Sequence, residues 1–494
     1  MNRDSPPVAT AAGTSLLDEL LRGLVDSQAS DLHLKPGRPP LVRVNGLLAP
    51  LDMTVLDPDT IVQMLDPVIP EFLRTRLEEE LAIDFGYGVP GVSRFRASVF
   101  CQRGTRAAVF RRVPFDFPSL DDWGLPPVLS EFCDVNQGLV LVTGPTGSGK
   151  SSTLAAMMQR VANNRHHHIV TIEDPIEFLI NDNLGSVSQR EIGIDTPNFS
   201  AALRNVLRQD PDVIMVGEMR DEETIRTVIT AAETGHLVFS TLHTNDAVQT
   251  IDRIITTFPE NNHRQLRQQL AACLEAVVSL QLVPRVDGGG MVAAVEILRR
   301  TPQVSKLILE GDYQALHEAI EGSVAYHKMQ TMNQSLAALV VHGTITRETA
   351  MSSTTNAGDL DLLLRQIVGA GGGGREGDAM AEATSDFSKI LKLQEVQKHY
   401  DDLQARHAEE LAARDHEIAQ LRQQLAGVSG QNNEEQLAAL QQENARLTAQ
   451  LKAYRDEYEA KLERLNARLK SMQAAANKGG TAAPQTKKSG LFRR

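Results

Sequence analysis

Gly144-Pro145-Thr146-Gly147-Ser148-Gly149-Lys150-Ser151 follows the apolar run 138–143 and precedes residues 152–162, which carry a helical pattern. Strand, glycine-rich loop and helix in that order, with the loop fitting G-x-x-x-x-G-K-[ST], predict a nucleotide-binding P-loop. Glycines permit a tight turn whose backbone N–H groups converge on phosphate oxygens, where Cβ atoms would crowd the approach. Lys150 then supplies a point charge to the β- and γ-phosphates, and Ser151 holds Mg²⁺ through its hydroxyl. Ser152 continues a helix whose positive end faces the triphosphate. The expected ligand is a nucleoside triphosphate with Mg²⁺.

Outward from this loop, to about residue 350, strand-like runs alternate with helical periodicity. Residues 139–143, a helix, 169–172, a helix through Arg204, 213–216, a helix from Glu222, and 237–242 predict a parallel sheet covered by helices on both faces. Upstream, residues 16–25 read as an amphipathic helix, and 31–34, 41–44, 83–87, 94–100 and 106–113 alternate as strands do, which predicts a small α/β domain. Pro114, Pro118, Pro126 and Pro127 crowd the connection between the two.

Downstream, the glycine-rich stretch 369–377 has the composition of a flexible linker. Beyond it Leu393, Val396, Tyr400 and Leu403, then Ile418, Leu421, Leu425 and Val428, recur at 3-4 spacing. So do Leu437, Leu440, Asn444, Leu447, Leu451, Tyr454 and Tyr458. These are coiled-coil seams, with Asn444 placed to set register and with His407 and Arg414 interrupting the first seam. The polar stretch 429–433 separates the two, and continuous helices would span on the order of 100 Å. The expected division is a disordered start (1–15), a small domain (16–114), a linker (115–135), a nucleotide domain with C-terminal helices (136–368), a glycine-rich linker (369–385), a coiled coil (386–475) and a disordered basic tail (476–494).

Bulk properties narrow the class. A chain of 494 residues accommodates two or three domains plus extensions. Its net charge of −13 argues against a general nucleic-acid binder. Cys101, Cys133 and Cys273 are widely spaced and lack a CxxC pair, so neither a disulfide framework nor a zinc site is expected, and a reducing compartment is. No basic segment followed by an apolar core opens the chain, and no apolar run reaches the ~18 residues of a membrane span. A soluble, cytoplasmic protein is the expectation.

Three further segments place polar side chains where strands end. Val213-Ile214-Met215-Val216-Gly217-Glu218 is an apolar strand closed by a carboxylate, which makes Glu218 the candidate to orient and deprotonate an attacking water. Ile169 to Glu177 ends in Glu173, Asp174 and Glu177, acids that would lie at the same sheet edge and help hold Mg²⁺ through water. Thr234-Gly235-His236-Leu237-Val238-Phe239-Ser240-Thr241-Leu242-His243 brings His243 out at a carboxyl end to contact the γ-phosphate, with His236 a second candidate. His166, His167 and His168 alternate faces on a strand and do not converge on one ion. Arg94, Arg96, Arg103, Arg106, Arg111 and Arg112 cluster in the small domain, and arginines of this kind neutralise a triphosphate during transfer.

Together these segments resemble the secretion-superfamily hexameric ATPases, most closely the PilT-type type IV pilus retraction motors. The resemblance rests on Ser30-Asp31-Leu32-His33-Leu34, Arg94-Phe95-Arg96, the Walker A loop at Gly144 to Ser151 and the Asp box at Thr171 to Glu177. It rests also on the Walker B strand at Val213 to Glu218 with Met219-Arg220-Asp221, and the His box at Thr234 to His243. It covers about residues 16–350. It implies a small N-terminal PAS-like α/β domain and a RecA-like P-loop NTPase domain, with ATP and Mg²⁺ as cofactors. Lys150 and Ser151 would hold phosphates and Mg²⁺, Glu218 would activate water, Glu173, Asp174 and Glu177 would form the acidic box, and His236 and His243 the His box. Arg96 and Arg111 fall where the family places arginines that reach a nucleotide bound between subunits. A homohexamer driving a pilus platform protein at the cytoplasmic face of the inner membrane is implied.

Two features refine this. The short segment before Ser30 and the missing CxxC insertion favour the retraction side of the superfamily over the assembly motors. After Glu296-Ile297, however, Gln303-Val304-Ser305-Lys306-Leu307-Ile308-Leu309-Glu310 keeps the apolar positions of the retraction motors' AIRNLIRE-like segment and loses two arginines and the Asn. That departure admits an accessory, PilU-like role or a secretion motor, and a scaffold with a switch-like ATPase is the alternative from another class. The coiled coil is outside the family's pattern. Its expected partner is a polar or regulatory protein, and Lys487, Lys488, Arg493 and Arg494 are expected to touch acidic surfaces.

Overall fold

Ser15 caps the helix Leu16–Asp26 by accepting the Asp18 N–H on its hydroxyl, and Leu17, Leu20, Leu21 and Leu24 form one buried stripe along it. The computed structural model describes residues 15–44, 46–114, 117–370, 385–428 and 434–477. The leucine stripe joins a core built on a sheet of β1 (Asp31–Leu34), β2 (Leu41–Val44), β3 (Leu47–Pro50), β4 (Ala82–Val89), β5 (Ser93–Gln102) and β6 (Thr105–Val113). Its strands pair antiparallel in the order β3-β2-β1-β6-β5-β4. Strict alternation in β5 buries Phe95, Ala97 and Val99 and turns Arg94 and Arg96 to the other face, as period-2 geometry requires. Phe95 and Phe110 are fully buried, and truncating either would cost about 3–5 kcal/mol.

The second sheet comprises β7 (Gly138–Thr143), β8 (His168–Glu173), β9 (Ser186–Glu191), β10 (Val213–Val216), β11 (Leu237–Leu242), β12 (Leu274–Pro284) and β13 (Met291–Arg299), in the order β13-β12-β7-β11-β10-β8-β9. From β12 to β9 every neighbour is parallel. Every residue of β7, β10 and β11 is buried, which is why these strands read as unbroken apolar runs: helices cover both faces. The mixed α/β class and the alternating order stand as read from the sequence. One element differs. Where a single helix was expected up to Arg204, β9 comes first and the helix is only Phe199–Val206. The Ser-Val-Ser-Gln-Arg-Glu run hides a strand because it lies at the sheet's edge, where one neighbour suffices and polar side chains are tolerated.

Chain contacts divide the described protein into two compact units. The first takes residues through 123, 127–281 and 297–319; the second takes 124–126, 282–296 and residues from 320 on. The expected borders at 114, 136 and 368 cut elsewhere. Within the first unit the small sheet and β9 share packing: Ile194 lies on the small sheet's core, and Arg94 of β5 pairs at 2.8 Å with the buried Glu191 at the end of β9. Between the two sheets, the expected linker contains a short helix, Val128–Phe132, with Val128, Leu129 and Phe132 buried.

In the second unit, Leu336, Ala337, Ala338 and Leu339 of the helix Met332–Val341 are buried with Val283, Val292, Ala294 and Leu360. Phe387 and Ile390 enter the same core. The C-terminal extension is therefore seated in this unit from its first turn. Buried Gln330 makes the joint: its Nε2 donates to Val295 O and Ser385 O at 2.7 and 2.8 Å, and its Oε1 accepts the Phe387 N–H at 3.0 Å. The helix Ala357–Ala370 runs two residues into the stretch expected as linker. The remainder of that linker (371–384), the expected break at 429–433, the start at 1–14 and the basic tail from 478 lie outside the described residues.

The extension forms two helices, Phe387–Val428 and Glu434–Asn477. They run antiparallel, because His407 stacks on Tyr458 at 4.7 Å while Arg414, further along, sits 4.3 Å over Tyr454. The hairpin is about 60 Å long at ~1.5 Å per residue, shorter than continuous helices would be. His407 and Arg414 do not interrupt the seam. They lie in it, at half-buried positions continuous with Leu403, Leu411 and Ile418, because the facing positions are tyrosines whose rings accept an imidazole or a guanidinium.

Gln330→Ala should strand the Phe387 N–H and remove one of the two donors to the Ser385 carbonyl, which keeps the Ser335 hydroxyl at 3.2 Å, a loss of about 1–3 kcal/mol at the joint. Limited proteolysis followed by mass spectrometry should then show cleavage near 385–392 well before the parent is cut there, with the 15–370 portion equally resistant in both.

Candidate nucleotide site

At the carboxyl edge of the second sheet, Thr143 ends β7 fully buried and donates from Oγ1 to Ser279 Oγ at 2.9 Å, fixing where the loop leaves the strand. Gly144 has φ +140°, and a Cβ there would stand 2.3 Å from Leu280 O and 2.5 Å from Ser148 Oγ, so only glycine fits. Gly149 caps the helix Lys150–Asn164 in the left-handed region at φ +95°. No side chain caps that helix and no acid sits in its first turn, so its leading N–H groups are left for a ligand. Pro145, Thr146, Gly147 and Ser151 are exposed, Ser152 is half-buried, and space is open around Gly147 and Gly149.

Two observations fit this cradle to a phosphate. The Ser148 hydroxyl is buried without a hydrogen-bond partner, an orphan that a phosphate oxygen would satisfy. The Lys150 ammonium, itself buried, donates to the loop's own carbonyls at Gly144 and Pro145, at 2.8 and 2.9 Å. Burial draws the Lys150 pKa down from its ordinary value, while the charges of Glu218 and Glu177 push it back up. Both acids are therefore within electrostatic reach of the loop. Among the described residues no cluster of three or more His, Cys, Asp or Glu could cage a metal. Mg²⁺, which keeps waters and rides on substrate phosphates, needs no such cage, and the exposed Ser151 hydroxyl at the loop's end suits it.

Glu218 follows β10, one strand beyond β11 in the sheet. Gly217 N–H donates to Ile172 O at 2.8 Å, Thr241 Oγ1 donates to Gly217 O at 2.6 Å, and Met219 N–H donates to Thr241 O at 3.2 Å. These bonds stitch the ends of β8, β10 and β11 together and hold the intervening carboxylate in place. Its side chain is 13 % exposed, paired with Arg220 and 3.5 Å from His243 Nε2. Arg220 is a partner that the sequence reading left without a role.

The acidic box separates into different environments. Asp174 and Glu177 are exposed, whereas Glu173 is buried and both Thr171 Oγ1 (2.6 Å) and Gln189 Nε2 (3.0 Å) donate to its Oε1. Burial pushes the Glu173 carboxyl up to about 7, against those hydrogen bonds. Its Oε1 is thus taken up by side chains of β8 and β9. Gln189 lies on the strand the sequence reading missed.

The two His-box residues stand at opposite ends of β11. His243 follows its carboxyl end beside Glu218; His236 precedes its amino end, where its ring lies 3.0 Å from Ala231 O and its carbonyl accepts the Gly138 N–H at the start of β7. A six-residue strand separates them by roughly 20 Å. His236 is therefore far from its own chain's phosphate loop, a correction that follows from strand direction alone. His168 Nδ1 and Nε2 lie 3.2 and 3.1 Å from Asp210 O and Ser188 Oγ, structural contacts at that same amino edge. Cys101, Cys133 and Cys273 are free thiols, and burial pushes both Cys133 and Cys273 up to about 12. In the small sheet Arg96 and Arg111 are direct cross-strand neighbours, and Arg111 Nε donates to Asp31 at 2.7 Å.

A family profile described as type II/IV secretion system protein matches residues 121–366. The chain is 46 % identical over 336 residues to the type IV pilus retraction ATPase PilT of Pseudomonas aeruginosa, covering 68 % of this chain and 96 % of that protein. It is 40 % identical over 348 residues to the type IV pilus ATPase PilU of the same organism, covering 70 % and 91 %. A crystal structure of the pilus retraction motor PilT with bound ADP superimposes with a TM-score of 0.65 at 44 % identity, covering 71 % of this chain and all of that one.

Glu173 gives a signed pH dependence. Its folded pKa near 7 exceeds the ordinary 4.5, so the folded protein holds a proton that the unfolded chain releases, and the stability contributed is lost as pH rises from 4.5 through 7. Because both donors meet Oε1, Glu173→Gln keeps the contacts and removes the charge. Urea midpoints between pH 5 and pH 8 should show the variant gaining on the parent by on the order of 1–3 kcal/mol across that range.

Proposed function

The chain belongs to the PilT/PilU-type retraction ATPases of the type II/IV secretion superfamily, and from that membership we propose a homohexameric, Mg²⁺-dependent ATPase that powers type IV pilus retraction. The observation that carries it is the convergence, at one sheet edge, of an uncapped helix start, the Lys150 ammonium and the carboxylate of Glu218.

In this reading Lys150 exchanges the Gly144 and Pro145 carbonyls for phosphate oxygens, and the loop N–H groups with the Ser148 hydroxyl take the remaining charge. Ser151 holds Mg²⁺, with Asp174 and Glu177 acting through water. When bound, Mg²⁺ neutralises charge developing on the phosphates. Glu218 accepts the proton of the attacking water, and Arg220 and His243 hold its carboxylate in place until then. Arg96 and Arg111 reach the nucleotide of the neighbouring subunit, and the ring acts on a platform protein at the cytoplasmic face of the inner membrane. In keeping with that, no described helix is long and apolar enough to cross a membrane. The helix Pro302–Glu310, which carries the altered retraction segment, favours a second reading as an accessory motor, and the similarity to PilU supports it.

Two variants test the motor. Glu218→Gln should lower Mg-ATP hydrolysis at least about a hundredfold while nucleotide binding persists; hydrolysis at the parental rate sinks the catalytic assignment. Lys150→Ala in the source cell should leave excess surface pili that no longer shorten, whereas normal retraction assigns the chain to the accessory role.

We further propose that the C-terminal hairpin is a coiled coil that recruits the ring to a polar or regulatory partner. Because Phe387 and Ile390 belong to the second unit's core, the informative truncation falls after Glu395 rather than in the glycine-rich stretch. It should preserve ATP turnover and disperse a fluorescent fusion; unchanged localisation refutes recruitment.

A further inference from the structure

One row of cross-strand neighbours crosses the small sheet on the face away from its core. Register pairs Arg43 of β2 with Asp31 of β1, Asp31 with Arg111 of β6, and Arg111 with Arg96 of β5. The row holds three guanidinium groups and a single carboxylate. Like charges directly opposite each other repel across strands, so Arg96 and Arg111 are an unfavourable pair unless an anion lies over them.

Asp31 is the fixed point. Its side chain is 4 % exposed, Oδ1 accepts from Arg111 Nε at 2.7 Å, and Oδ2 accepts from Ser30 Oγ at 2.7 Å with Arg43 Nε at 3.7 Å. Those hydrogen bonds and the Arg111 charge hold its pKa below the ordinary value although burial opposes them, so it stays ionised. Two residues along the strand, burial lowers the His33 pKa from its ordinary value, against the pull of the Asp31 charge. The Arg111 side chain remains 68 % exposed. A guanidinium anchored through Nε keeps its two terminal nitrogens, the end that grips a phosphate in bidentate fashion.

We propose that Asp31 is a positioning residue: by occupying Nε of Arg111 it aims the terminal nitrogens of that guanidinium outward beside Arg96, forming a two-arginine fork for the anionic oxygens of a nucleoside triphosphate held by a neighbouring copy of this chain. The inference rests on the assignment of Arg96 and Arg111 to nucleotide binding and adds the residue that makes the fork rigid. An unanchored arginine samples many rotamers, and ordering it on each turnover costs free energy that an anchored one has already met.

The test is steady-state Mg-ATP turnover of the purified full-length hexamer for Arg111→Ala, Arg111→Lys, Asp31→Asn and the Asp31→Asn/Arg111→Ala double variant, with thermal melts in parallel. Arg111→Ala and Arg111→Lys should fall together, because lysine keeps the charge without the fork. Asp31→Asn should lower kcat about tenfold, and should lower it no further once Arg111 is gone, as residues acting as a unit do. A merely structural role predicts the opposite: the Asp31→Asn factor multiplies that of Arg111→Ala. That outcome overturns the proposal, as does parental turnover in Arg111→Lys or in Asp31→Asn. If instead Arg111→Ala turns over like the parent, the arginine assignment itself falls and this inference with it.

Discussion

In-register parallel pairing of β7, β11, β10 and β8 is the constraint on which the rest of the structure depends. Parallel strands all end at the same edge, so the phosphate loop after Thr143, the acids after Ile172, Glu218 after Val216 and His243 after Leu242 are brought together by direction alone. Burial on both faces makes the arrangement stiff, because shifting one strand would drag an apolar run out of a packed interior. The hydrogen bonds linking Ile172, Gly217, Thr241 and Met219 then convert strand pairing into a fixed position for one carboxylate.

The same sheet reaches the small domain through its edge. β9 carries Gln189, which engages Glu173, and ends in Glu191, which takes Arg94; Ile194 just beyond lies on the small sheet's core. A buried ion pair of this kind is a weak source of net stability but a strong source of orientation, since breaking it leaves a charge uncompensated. It ties to β9 the same face of β5 on which alternation displays Arg96.

The second unit shows how an extension becomes part of a motor. Gln330 bonds both β13, through Val295, and the start of the extension, through Ser385 and Phe387. An amide with donor and acceptor both used inside a core leaves little freedom at its partners. The first turn of the hairpin that follows is thereby bonded into this unit, and its seam tolerates His407 and Arg414 because Tyr454 and Tyr458 face them.

What the sequence determined by itself is the chemistry that one continuous stretch encodes. The loop Gly144 to Ser151 reads as a phosphate cradle because three glycines, a lysine and a helix start are contiguous, and buried parallel strands read as apolar runs because both of their faces are covered. Glu218 and His243 were legible for the same reason: each ends such a run. Tertiary structure alone decided the rest. It placed His236 at the wrong end of its strand for its own phosphate loop, hid Glu173 behind Gln189, made an edge strand of a polar segment, anchored Arg111 on Asp31 and seated Phe387 and Ile390 in a core. Each of these depends on register or packing between residues far apart in the chain, and neither composition nor periodicity carries the direction of a strand, the identity of its neighbour or the depth at which a side chain comes to rest.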